Sequence, residues 1–224
     1  MIRAVAAGLF LLVAGGCREQ TAAPAEPRAT VYLLTGLPIA FGESFTLEAP
    51  KSPVMAALEQ GYRVKLIDGP EALAPRGLLL AAQPRALTPE RLVALDAWVR
   101  GGGRLLLLAD PRLTWPSDLP LGDRQRPPYA FADTGLLAHW GLRSEAPAPG
   151  ASAMVGFSVA GEAVQSDSAG TLSRVDGSCK VAVDKRSAEC RLGKGWALVV
   201  ADADFLRLPG GPAAMVGMLV SLNH

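Results

Sequence analysis

This 224-residue chain has little histidine, little cysteine, few aromatic side chains and no surplus of either charge. With only His139 and His224, multi-histidine metal centres cannot be assembled, and most histidine-dependent hydrolytic schemes lack their parts. Its 22 Lys and Arg against 21 Asp and Glu give no basic footprint for a phosphate backbone, so nucleic acid is not an expected partner. A long hydrophobic run is also missing. The apolar stretch Ala4 to Val13 is half of the roughly 20 residues that cross a bilayer core of about 30 Å. No internal repeat is visible. What is present is apolar: half the residues are hydrophobic and 19% are charged, enough for a sizeable core in one or two domains and too little charge for wholesale disorder.

The N-terminus carries an address. Arg3 precedes the apolar run, and Ala14, Gly15 and Gly16 lead to Cys17, the layout of a secretory signal. A cysteine after small residues resembles the bacterial lipoprotein processing site, with Ala14 standing where leucine is commoner. On this reading residues 1–16 are a signal peptide, and Cys17 carries palmitate and other acyl chains. Residues 17–29 then form a flexible Pro/Ala tether. Each buried methylene contributes roughly 0.8 kcal/mol, so several chains anchor a protein essentially permanently. The alternative is an ordinary leader with Cys17 incidental. Loss of residues 1–16 removes Arg3 and leaves equal numbers of positive and negative side chains, so anionic lipid offers no further attraction. The expected location is the cell envelope, lipid-anchored and facing the periplasm. Arg18 after the cysteine favours the outer membrane, by analogy with Gram-negative lipoproteins.

Setting Cys17 aside leaves Cys179 and Cys190, an even pair for an oxidising compartment. They flank alternating Val181 and Val183 and the polar turn Asp184 to Ser187, which suits a disulfide across a β-hairpin. Two free or metal-binding thiols are the other reading, although no nearby Cys or His completes a zinc site.

From Thr30 onward the chain reads as α/β. Thr30–Thr35, Arg63–Ile67, Gly77–Ala81, Arg104–Ala109 and Trp196–Ala201 are short apolar strands, mostly without alternation, as expected where helices cover both faces of a sheet. Ser52-Pro53 opens a helix through Gln60. Thr88-Pro89 opens another, with Leu92, Leu95 and Val99 at helical spacing and Gly101–Gly103 ending it. Asp133–Trp140 and Gly211–Leu222 read as further helices, and residues 153–192 as a hairpin-rich insertion. The expectation is a single domain over 30–224 built on a parallel sheet flanked by helices.

The segments Leu78 to Pro111 and Gly193 to Phe205, with the central Leu87-Thr-Pro-Glu-Arg-Leu92 and the terminal Asp202-Ala-Asp204-Phe205, resemble the GldG-like auxiliary domain of ABC-type transport systems, including gliding-motility systems. The likeness spans roughly residues 30–222. It implies a flavodoxin-like sheet of the class I glutamine amidotransferase type, no recognised catalytic triad, and an accessory role beside an ABC transporter ATPase or permease or another envelope protein. Longer family members often continue into a transmembrane helix. Here the lipid at Cys17 would serve as the anchor instead.

Ligands of open α/β sheets sit beyond the carboxyl ends of the strands. Two such ends are polar here. The first opens a loop of about twenty residues holding Asp110, Arg112, Trp115, Asp123, Arg124 and Arg126; the second carries Asp202 and Asp204. The arginines suit bidentate grip of a carboxylate or phosphate, Trp115 suits stacking on a ring, and Asp110 and Asp202 suit a hydroxyl or cation. The plainer reading has the aspartates capping turns and the arginines pairing with Asp118, Asp123 and Asp133 on a solvated surface. No catalytic residue, cofactor or metal is assigned. The expectation is a non-catalytic ligand- or partner-binding lipoprotein. An unusual hydrolase stands as the alternative, using Ser158 in Gly156-Phe-Ser-Val-Ala160, which lacks the last glycine of a nucleophile elbow, and His139 as base.

Overall fold

The computed structural model describes residues 28–42, 51–148, 150 and 153–223. Strand β1 (Thr30–Thr35) is followed by helix α1 (Pro53–Gly61) and β2 (Arg63–Leu66), then β3 (Leu78–Ala82), α2 (Pro89–Arg100) and β4 (Arg104–Leu108). A long loop leads to the short α3 (Leu136–His139), β5 (Leu142–Glu145), β6 (Val155–Val159), β7 (Glu162–Ser166) and β8 (Thr171–Arg174). The chain closes with β9 (Cys179–Val181), β10 (Ser187–Leu192), β11 (Gly195–Val200) and α4 (Gly211–Ser221). The helix starts follow local chemistry. Ser52 accepts the Met55 N–H at 3.1 Å and Thr88 the Arg91 N–H at 3.4 Å, each with proline at the first helical position.

Seven strands form one sheet in the order β2-β1-β3-β4-β11-β10-β9. The first five are parallel and the last two antiparallel. Both faces are buried. Val31, Leu33, Leu80, Leu106 and Leu198 pack with α1 and α4. Tyr32, Leu79, Leu105, Leu107 and Val199 pack with α2, Leu137 and Trp140. This two-sided burial is the physical cause of the unalternating Leu-rich strands.

Two sequence expectations change. Asp133–Trp140 forms helix only over Leu136–His139, because Gly135 is left-handed at φ +111° and the Asp133 carboxylate takes the N–H groups of Gly135 and Leu137 at 3.1 and 3.2 Å. Residues 153–192 are not one insertion. β6 and β7 form a separate hairpin and β8 pairs with β5, whereas β9 and β10 extend the main sheet. Cys179 and Cys190 are register partners on those strands and form a disulfide, so free or metal-binding thiols are excluded. No helix among the described residues is long and apolar enough to cross a membrane, and the leader and Cys17 lie outside the described residues.

Candidate ligand-binding crevice

Beyond the carboxyl ends of β3, β4 and β11 the buried polar groups lock onto one another. Gln83, left-handed at φ +45°, clasps the Asp110 main chain twice: its Nε2 donates to the Asp110 carbonyl at 3.0 Å and its Oε1 accepts the Asp110 N–H at 2.9 Å. Asp110 accepts the N–H groups of Arg112 at 2.8 Å and Ala203 at 3.1 Å. Asp202 accepts the Ser166 hydroxyl and the Phe205 N–H at 2.9 Å. Asp204 accepts the Thr114 N–H and hydroxyl at 2.6 and 2.8 Å, the Ser168 hydroxyl at 2.5 Å, and the Arg207 guanidinium at 3.3 Å. All three carboxylates are fully buried. Burial, with the neighbouring Asp202 charge next, raises Asp110 to about 8. Burial likewise raises Asp202 to about 7, against the Ser166 and Phe205 hydrogen bonds and with added repulsion from Asp204.

Asp110, Asp202 and Asp204 are therefore not a solvent-facing binding surface. Strand β11 ends at Val200, so the two later aspartates do not alternate across a strand; both turn inward toward Asp110. They join the loop after β4, the end of the β6–β7 hairpin and the exit of β11. Among the described residues no group of three or more His, Cys, Asp or Glu side chains is disposed to hold a metal ion.

The rest of the long loop divides. Arg112 is committed to the carbonyls of Pro147 and Ala148 at 3.2 and 3.0 Å. Arg126 donates to the Ser117 carbonyl at 3.3 Å and to that of Leu119. Asp123 and Asp133 accept backbone N–H groups rather than arginines, Asp123 from Gln125 at 2.7 Å. Trp115 is half-buried against the core, one residue beyond the Thr114 that Asp204 holds.

Strand order reverses between β1 and β3, and such a switch point splays the following loops apart into a crevice. A cavity of about 420 Å³ lies there, lined by Thr35 to Pro38 and Ala40 to Gly42 at the end of β1 and beyond it, Leu66 and Asp68 at and past the end of β2, Arg85 after β3, and Arg124 with Gln125 from the long loop. That volume falls in the range of small-molecule sites. Arg85 and Arg124 are exposed, and Arg124 has no ion pair among the described residues. Gly36 sits at the crossing: a Cβ there would stand 2.7 Å from the Gln83 carbonyl and 2.8 Å from Pro128. Arg85 was missed in the sequence because it sits in a short polar link before α2. The usable signal was its place just past the end of β3, beside the switch.

The hydrolase residues do not meet. Ser158 lies on β6, whose Phe157 and Val159 pack in the α1/α4 layer, whereas His139 ends α3 in the layer on the opposite face of the sheet. His139 is 61% exposed, 3.5 Å from Asp96 and 3.4 Å from Arg100.

Sequence comparison matches residues 54–207, more than half of the chain, to the domain of unknown function DUF4350. The chain belongs to the DUF4350 family. The DUF4350 match covers the buried carboxylates, Arg85 and the long loop, and leaves β1 and the Thr35–Gly42 wall outside it. No curated protein matches the chain. Among solved structures this DUF4350 protein is similar to the exo-β-1,4-mannosidase Op5Man5 from Opitutaceae bacterium strain TAV5, at TM-score 0.53 and 11% identity over 88% of this chain and 36% of that one. It is similar to Gan42B, a GH42 β-galactosidase from G. stearothermophilus, at TM-score 0.51 and 14% identity over 88% of this chain and 30% of that one. The mmIFT52 N-terminal domain matches at TM-score 0.53 and 12% identity over 86% of this chain and 96% of that one. The chain thus spans about a third of the glycosidases it resembles, and at these identities the likeness is one of fold.

Proposed function

We propose that the chain is a non-catalytic binding module of flavodoxin-like, class I glutamine amidotransferase-like architecture. It is held in the bacterial cell envelope by a lipid on Cys17 and serves a GldG-like ABC-type transport system as an accessory component. The observation that carries the binding role is the switch-point crevice, where Arg85 and Arg124 stand over a cavity of about 420 Å³. Two guanidiniums at the mouth of a concave site favour a carboxylate or phosphate, which each can meet with paired N–H donors. The strand ends carry Gln83, Asp110 and Asp202 in place of a serine or thiol, and the sheet stands between Ser158 and His139. Both points speak for binding and against hydrolysis. The transport role rests on the resemblance over residues 78–111 and 193–205.

Titration calorimetry with acetate and inorganic phosphate tests the binding role. Saturable binding of either anion is expected, falling about tenfold in Arg124→Ala. Absence of binding by both anions defeats the reading.

A further inference from the structure

We infer that the crevice takes a singly charged sugar acid, its carboxylate held by Arg85 and Arg124 and its ring laid against Trp115 and Tyr129. This assignment rests on the anion-binding role above and names the ligand class for it. A second cavity of about 260 Å³ is lined by Leu113, Trp115, Asp123, Arg126, Pro127 and Tyr129 among others, and Arg85 lines it as well as the crevice. The Arg85 Nη2 donates to the Arg126 carbonyl at 2.9 Å, tying the end of β3 to the long loop that lines both compartments. One ligand can therefore reach Arg85 from either side.

The two compartments differ in chemistry. The first offers guanidinium groups. The second offers an apolar wall in which Trp115 is seated on the core, while Tyr129 and Leu121 stand 75% and 89% exposed. Large apolar side chains gathered at one concavity mark a binding surface. Tryptophan and tyrosine present a flat apolar face with a polar edge, which matches the C–H face and hydroxyl rim of a sugar ring.

Charge narrows the class further. Asp68 places a carboxylate in the first compartment and Asp123 one in the second, so a polyphosphate would meet repulsion in both. A purely apolar ligand would leave Arg124 without a counter-charge. Asp123 uses one oxygen for the Gln125 N–H, and its other oxygen can accept a sugar hydroxyl. A hydroxylated ring bearing one negative charge satisfies all four conditions.

Calorimetry on the full chain with glucuronate, galacturonate, glucose and acetate tests this. One of the two sugar acids is expected to bind about tenfold or more tighter than acetate or glucose. Tyr129→Ala, at an exposed position, is expected to bring the sugar acid down to the affinity of acetate while leaving acetate unchanged, and Tyr129→Phe to retain most of the gain. Arg124→Ala is expected to weaken both acetate and the sugar acid. Sugar acids binding no better than acetate, or indifferent to Tyr129→Ala in a variant that melts like the parent, overturn the sugar-acid assignment and leave the anion site standing. Glucose binding as well as glucuronate removes the role of the charge. Failure of every anion, phosphate included, overturns both readings.

Discussion

Three buried aspartates near one another would be unfavourable if all were ionised, so the protein must keep protons that the unfolded chain releases. Asp110 and Asp202 are raised to about 8 and about 7 from an ordinary value of 3.8. Between roughly pH 4 and pH 8 the folded state therefore binds more protons than the unfolded state. Stability from these groups is complete below about pH 4 and is lost as pH rises through 7 to 8. The thermal midpoint is expected to be higher at pH 5.5 than at pH 8.5. Asp202→Asn is the informative variant, because its amide oxygen can accept the Phe205 N–H while its NH2 donates to Ser166. Removing that charge is expected to raise the midpoint at pH 8.5 and to flatten its pH dependence. A melting series in which the variant keeps the full slope of the parent refutes this account. The aspartates were visible in the sequence as polar strand ends. Their convergence was not, since Asp110 and Asp202 lie 92 positions apart and only the pairing of β4 with β11 joins them.

At the scale of elements, the signals most readily read were the local ones. Ser52-Pro53 and Thr88-Pro89 place helix starts to the residue, because capping involves neighbours within one turn. Strand order is a long-range property, and nothing in the apolar runs says that β1 lies between β2 and β3. The crevice that follows from that order was consequently out of reach, and with it Arg85, while Arg124 was found only through the unusual length of its loop. Strands β9 and β10 show the same limit: alternation and a polar turn announce a hairpin but not that it will finish the main sheet. The disulfide there closes a sequence separation of 11 on a three-residue edge strand. A loop of this size contributes about 3 kcal/mol in the chain-entropy model, which for a domain of this length corresponds to roughly 6–12 °C. The Cys179→Ser/Cys190→Ser variant is expected to melt lower by about that amount. Its acetate affinity should be unchanged, because β9 and the crevice lie toward opposite ends of the sheet. An unchanged midpoint would show that pairing with β10 alone secures the edge.

For the whole molecule, the direction of β1 relates the proposed anchor to the crevice. Thr30 stands at the amino end of β1, whereas Thr35 at the carboxyl end lines the cavity. The five steps from Thr30 to Thr35 separate the two by about 17 Å. A lipid on Cys17, as proposed, would join the chain on the amino side of β1, with the crevice beyond the carboxyl ends of the strands. On the proposed reading, anchoring and binding are separable functions of one chain. In cells, the wild type is expected in the membrane fraction with an intact mass raised by acyl chains, co-isolating with an ABC-type ATPase or permease. Cys17→Ser is expected in the soluble fraction without the mass increase, and after purification it should bind acetate as the wild type does. A wild type that is unmodified and soluble removes the anchor from the proposal, and an acylated wild type that never brings down a transporter component removes the transport role. Loss of acetate affinity in a soluble, folded Cys17→Ser protein would instead tie the crevice to the membrane and contradict the separation that the direction of β1 implies.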